Sequence, residues 1–201
     1  MIGNLLALAQ SNVRRLLAYS AVAHAGYTLL GLVVGGADGF GATLFYTTVY
    51  AFTLVGAFGV VAFVHRATGG DNLKDFAGLR TRSPILAGCM AIFMLSLAGL
   101  PPLAGFFGKF YLFSAALRSR SDQGLLWLVA LALFGSLISL YYYLIILKAI
   151  FLQESAKPVD LSRSPSAWNL EKIPIAGLAA IVLLLGIFPS PLVARIIAAL
   201  P

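Results

Sequence analysis

Charge is what this chain has least of: charged residues fill 10% of its 201 positions and hydrophobic ones 60%, where an ordinary soluble domain carries roughly 25% charge. Too few ionic groups are present to cover a water-exposed globule, so the composition places the chain in a bilayer. Cysteine occurs once, at Cys89 inside an apolar run, which excludes a disulfide framework and leaves that thiol a packing role. The seven carboxylates all lie outside the long apolar runs, so no buried general-base pair is available. Motifs for a dinucleotide or a phosphate are absent, as is a Cys/His cluster for iron or another metal. The Met1–Gln10 segment has neither a basic n-region nor a cleavage site and is no signal peptide. It reads as the tail of an earlier helix. A net charge of +7 would elsewhere suggest nucleic acid, but these cations sit at the ends of apolar segments, where membrane topology puts them. Nucleic acid is therefore not an expected partner, and membrane lipid is.

What is present is a series of apolar runs. Residues 16–34 contain 19 positions without Asp, Glu, Lys or Arg, and residues 40–64 contain 25, each enough for the roughly 20 that a bilayer core requires. Further spans are expected over 84–117, 125–147 and 173–194, the last interrupted late by Pro189 and Pro191. The runs are uniformly apolar and lack the alternation of a membrane barrel, so helix is the spanning form. The expected fold is a single all-α, polytopic transmembrane domain over residues 1–201 with about five helices.

The third run is the informative one. As one straight helix its 34 residues would reach about 50 Å, beyond a hydrocarbon core of about 30 Å. Pro101 and Pro102, flanked by Gly99, Gly105 and Gly108, predict where it breaks. Lys109 follows the break and is the only formal charge between Pro84 and Leu117. A cation there is costly unless it is paired, hydrated or able to lose its proton, and so marks an ion or proton pathway. A broken membrane helix beside such a residue is a transporter feature.

Loop charges orient the set. With the start of the first span inside, ten cations fall on the cytoplasmic side: Arg14, Arg15, Arg66, Lys74, Arg80, Arg82, Lys148, Lys157, Arg163 and Lys172. Arg118, Arg120 and Arg195 fall outside. The positive-inside rule then predicts a cytoplasmic N-terminus and an external C-terminus.

The run from Asn4-Leu5-Leu6 through Arg14-Arg15-Leu16-Leu17-Ala18-Tyr19-Ser20 to His24-Ala25-Gly26-Tyr27 resembles a stretch shared by the antiporter-like subunits of respiratory complex I. Leu95 to Tyr111, followed by Ser139-Leu140-Tyr141-Tyr142-Tyr143-Leu144, is most similar to the subunit N type of NADH-quinone oxidoreductase. The resemblance covers nearly the whole chain. Members of that family have about fourteen spans built as inverted repeats, and the chain resembles their C-terminal third, from the end of the ninth helix to the fourteenth. The resemblance implies a multi-pass subunit of the bacterial inner (plasma) membrane. It would move protons while quinone is reduced elsewhere, and would hold no cofactor of its own. NADH, flavin, iron-sulfur clusters and quinone would belong to partner subunits of the membrane arm and beyond it. The equivalent subunit of a multisubunit cation/proton antiporter or membrane-bound hydrogenase is the alternative, and a non-conducting structural fragment a third reading.

By the same resemblance Lys109 matches the lysine of the family's broken twelfth helix, which binds and releases the pumped proton, and His24 matches a histidine of the tenth helix on the central polar axis. The chemistry suits both. Burial and a nearby cation favour a neutral amine, an approaching carboxylate favours an ammonium, and so moving charges would switch a lysine's occupancy. An imidazole passes protons between its two nitrogens. Tyr19, Ser20, Tyr27 and Tyr142 are candidate supports for a polar path, while Ser96, Ser136 and Ser139 are expected to bridge helices or order water. At most two of Tyr141, Tyr142 and Tyr143 face that path, because consecutive residues point to different sides of a helix. Arg14, Arg15 and His65 are expected at the headgroup level.

Overall fold

The computed structural model describes residues 1–119, 124–154 and 166–200, and for residues 166–171 only the backbone. Arg120, Lys157 and Arg163, three of the loop cations counted above, lie outside the described residues. Helices α1 (Ile2–Leu8), α2 (Val13–Val34), α3 (Gly36–Thr68), α4 (Leu79–Arg82), α5 (Pro84–Ala98), α6 (Ala104–Arg118), α7 (Gly124–Leu152), α8 (Ser166–Ile187) and α9 (Ser190–Ala198) follow one another. The chain is a polytopic helical membrane protein. Among the described residues α2, α3 and α7 are long and apolar enough to cross a bilayer singly, and α8 with α9 makes a fourth candidate.

Local chemistry sets most boundaries. The Asn12 side chain caps α2 by accepting from the Arg15 backbone N–H at 3.0 Å, and positive-φ Gly35 and Gly36 turn the chain straight into α3. That helix ends at left-handed Gly69. Pro84 opens α5 at its first turn, where its missing N–H costs nothing. α5 stops at Gly99, whose φ is +83°, and a cis Pro101–Pro102 pair precedes α6.

Both interruptions expected from the sequence are present. The 84–117 run is two 15-residue helices, each about 22 Å long and too short alone for the bilayer core. The 173–194 run does not continue to its end as one axis. It stops at Ile187, and the chain bends by 82° into α9, because Pro189 removes a backbone donor and turns the preceding residue away from helix.

α3 is the central element, packed against α2, α5, α6, α8 and α9, while α1 sits on α2 and α7. Leu16, Leu17, Phe45, Phe63, Met90, Phe93 and Met94 fill the buried core, with Cys89 among them. At one end the chain zips together: the Val13 N–H donates to the Asp71 carbonyl, the Leu73 N–H to that of Ser11, and the Gly78 N–H to that of Ala149. Arg14, Arg66, Lys74, Arg80 and Lys148 therefore gather at the end where α2 begins and α3 and α7 finish, opposite Arg118.

Candidate functional site

The break between α5 and α6 creates the site. A helix leaves its last carbonyls without intrahelical donors and carries partial negative charge there. Ala98, the last residue of α5, presents such a carbonyl, and Lys109 Nζ donates to it at 3.0 Å. A second Nζ hydrogen bond, at 2.8 Å, goes to Ser136 Oγ on α7, and the ammonium position lies 5.5 Å from the centroid of the Tyr27 ring on α2. Lys109 is 5% exposed. Its described partners are a carbonyl, a hydroxyl and a ring face, with no carboxylate among them.

Two glycines make room. A Cβ on Gly99 would stand 2.9 Å from Lys109 Cδ, so this residue supplies both the left-handed stop of α5 and the floor over which the lysine reaches Ala98. A Cβ on Gly105 would fall 1.9 Å from the Ser96 carbonyl oxygen. The two half-helices thus touch backbone to backbone, and the Gly105 N–H donates to Ser96 Oγ at 3.2 Å.

His24 is buried on α2, one turn from Tyr27. Its Nδ1 lies 2.6 Å from the Tyr46 hydroxyl and its Nε2 3.0 Å from that of Tyr143. With both ring nitrogens engaged by hydroxyls, the ring can hold either tautomer or the imidazolium without losing a partner, since a hydroxyl donates or accepts. Tyr143 also bonds Ser20 Oγ. Next to it, the Tyr142 hydroxyl donates to Asn4 Oδ1 at 2.9 Å, and Asn4 Nδ2 donates to the Gly135 carbonyl at 2.8 Å and toward the Tyr27 hydroxyl at 3.4 Å. Helices α1, α2 and α7 are thereby joined through Asn4, and α2, α3 and α7 through His24.

Of the residues singled out in the sequence, Lys109, His24, Ser20, Tyr27 and Tyr142 come together here, with Pro101, Pro102 and Gly105 forming the break. Tyr19 packs against the core and makes no side-chain hydrogen bond among the described residues. Tyr142 and Tyr143 are buried and Tyr141 is 61% exposed. At the zipped end, Arg14 and His65 meet a protein partner rather than the headgroup level alone: Asp71 takes Arg14 Nε at 3.0 Å and His65 Nδ1 at 3.0 Å. Sequence reasoning missed Asn4, Tyr46 and Tyr50. Tyr46 and Tyr50 stand one turn apart on α3 and stack on His24, Tyr50 with ring centroids 4.7 Å apart.

The family model described as NADH:quinone oxidoreductase/Mrp antiporter, TM matches residues 1–139. The chain is 47% identical over 190 residues to NADH-quinone oxidoreductase subunit N 2 of Acidobacterium capsulatum, a match covering 94% of this chain and 38% of that protein. Among solved structures it is similar to a chain of respiratory complex I from Thermus thermophilus with bound aureothin. There the TM-score is 0.76 and the identity 36%, over 96% of this chain and 42% of that one. It is also similar to a chain of the Mrp complex from Dietzia sp. DQ12-45-1b, with TM-score 0.84 and 25% identity over 100% and 45% of the two chains. The chain thus spans about two fifths of the length of the proteins it matches.

Proposed function

As this chain belongs to the NADH:quinone oxidoreductase/Mrp antiporter transmembrane family, we propose that it forms the C-terminal, proton-carrying part of a membrane-arm subunit of NADH-quinone oxidoreductase, of the subunit N type. The observation that carries this reading is Lys109, a buried cation site held on the free carbonyl end of a half-helix by partners that are all uncharged among the described residues. Such a site gains and loses a proton as neighbouring charge changes. His24, within its ladder of hydroxyls, extends the polar path toward α3 and α7. Proton movement would be coupled to electron transfer from NADH to quinone in partner subunits, which would carry NADH, flavin, iron-sulfur clusters and quinone. The chain would lie in a bacterial inner membrane among other membrane-arm subunits and lipid, with the zipped, arginine-rich end cytoplasmic.

The test is Lys109→Ala in the assembled complex, in inside-out vesicles energised with NADH and read with a pH-sensitive dye. Proton uptake should fall while the complex still assembles. Unchanged uptake would remove Lys109 as a carrier. The closeness of the fold to the Mrp complex chain favours a second reading, a cation/proton antiporter subunit. Proton uptake driven by a sodium gradient and insensitive to NADH would select it.

A further inference from the structure

We infer that the Tyr50 hydroxyl holds a bridging water between Lys109 and the Tyr46–His24 pair, which makes Tyr50 a positioning residue for proton exchange between the lysine and the histidine. The inference rests on the proton-carrying reading above and adds to it a residue and a route.

Three independent features meet at one place. The first is a cavity of about 10 Å³ lined by His24, Tyr46, Tyr50, Thr53, Ser96 and Lys109, among others. About that volume accepts a single water, and a water settles where two to four polar groups face it. The second is an orphan. The Tyr50 hydroxyl is buried without a hydrogen-bond partner among the protein's atoms, one of two such side-chain atoms among the described residues. The other, Arg82 Nε, belongs to a guanidinium whose Nη2 already donates to two carbonyls, so Tyr50 alone has no bond from its polar group. Buried hydroxyls are rarely left so, because desolvation without a replacement bond is unfavourable. The third is a spare donor. A protonated lysine has three N–H groups; the Ala98 carbonyl and Ser136 Oγ take two, and the third has no hydrogen-bond acceptor among the described residues, only the Tyr27 ring face nearby, on a side chain that lines the cavity.

The Tyr50 side chain lines this cavity, and its ring is fixed by stacking on His24 at an interplanar angle of 18°. Tyr46 lines the same cavity and already bonds His24 Nδ1. A proton then moves in one concerted shift. The Lys109 ammonium gives a proton to the water, the water gives one of its own to Tyr46 Oη, and Tyr46 gives its hydroxyl proton to an unprotonated His24 Nδ1. Lys109 ends as the neutral amine and His24 as imidazolium, donating to Tyr46 and Tyr143. Water, Tyr46 and Tyr50 are unchanged in composition.

Tyr50→Phe in the assembled complex keeps the stacked ring and removes only the hydroxyl. NADH-driven proton uptake should fall about fivefold, the order expected for one lost hydrogen bond to the relay, and its slowing in D2O should change, which a purely structural role would not cause. Normal uptake and an unchanged isotope effect in Tyr50→Phe, beside a defective Lys109→Ala, would overturn the inference and leave the proposed function standing. Normal uptake in both variants would overturn the proposed function itself. Should Tyr50→Phe fail to assemble, a water-resolving map of the unaltered complex decides. Density within hydrogen-bond distance of Tyr50 Oη and Lys109 Nζ supports the bridge, and its absence from that position refutes it.

Discussion

Replacing Lys109 by Met separates a carrier from a structural fastener. The thioether side chain has similar length and no charge, so packing is nearly preserved. The loss is of two hydrogen bonds, to the Ala98 carbonyl and Ser136 Oγ. Bonds between helices in bilayers average about 0.6 kcal/mol, and an orphaned buried group costs about 1–3 kcal/mol. Together the two losses amount to about 1–4 kcal/mol. Against this, a lysine at the centre of a membrane helix costs about 2.5–3.5 kcal/mol on insertion scales, a cost that Met removes. The net change should lie between about 2.5 kcal/mol stabilising and about 1.5 kcal/mol destabilising, whereas breaking a true buried ion pair costs about 3–5 kcal/mol. Denaturant titration of the purified subunit measures the stability, and dye-reported proton uptake in vesicles measures the function. The expected result is near-unchanged stability with lost pumping. A loss of 3 kcal/mol or more, on the scale of a broken ion pair, would show that Lys109 is held by a carboxylate and refute the reasoning.

Three further outcomes are expected. Gly105→Ala places a methyl 1.9 Å from the Ser96 carbonyl oxygen. Since backbone, not a flexible side chain, is in the way, it should cost about 3 kcal/mol, the upper end for overpacking, and reduce the assembled complex seen on native gels; full assembly would mean that the half-helices do not touch there. Asp71→Asn removes the anchor of half-exposed Arg14 and His65. Because screened pairs of this kind contribute about 0–1 kcal/mol, pumping and assembly should both stay near normal, and a pumping defect would move the cluster into the proton path. The 201 residues alone, purified into liposomes with an internal pH dye, should neither pump nor leak protons, because one broken helix is present without its inverted-repeat counterpart. A robust leak would contradict this.

The break at Pro101–Pro102 and the exceptional position of Lys109 were legible because each is a chemical exception in an apolar background: a missing backbone donor and a lone charge. What holds the lysine was not legible. That the Ala98 carbonyl is its acceptor depends on the length of the turn and on Gly99 adopting φ +83°. Ser136, its other acceptor, is 27 residues away. The ion cluster at the zipped end was missed for a similar reason. His65 and Asp71 meet across the Gly69–Gly70 turn, and a residue at a helix end looks like a headgroup anchor until the turn folds it back. Likewise Pro189 and Pro191 announced an interruption, but the 82° bend depends on what α9 packs against.

The deeper difficulty is that a membrane helix offers apolar side chains to lipid and to its neighbours alike, so the contrast that reveals the buried face of a soluble helix is missing. The polar atoms themselves carry the register instead. Ser20, His24 and Tyr27 on α2 are spaced i, i+4, i+7, and Tyr46, Tyr50 and Thr53 on α3 repeat that spacing. Ser136, Ser139 and Tyr143 on α7 follow i, i+3, i+7. Each set is a single stripe along one helix face, and the hydrogen bonds of His24 and Lys109 tie the three stripes to one another and to the end of α5. Read singly, each tyrosine or serine is an ordinary interhelical bonder, which is how Tyr46 and Tyr50 escaped notice. Read as stripes, the three sets locate the faces that meet. They then give a physical reason for a hydroxyl at position 50: it lies on the stripe between a tyrosine bonded to His24 and a threonine on the wall of the Lys109 cavity.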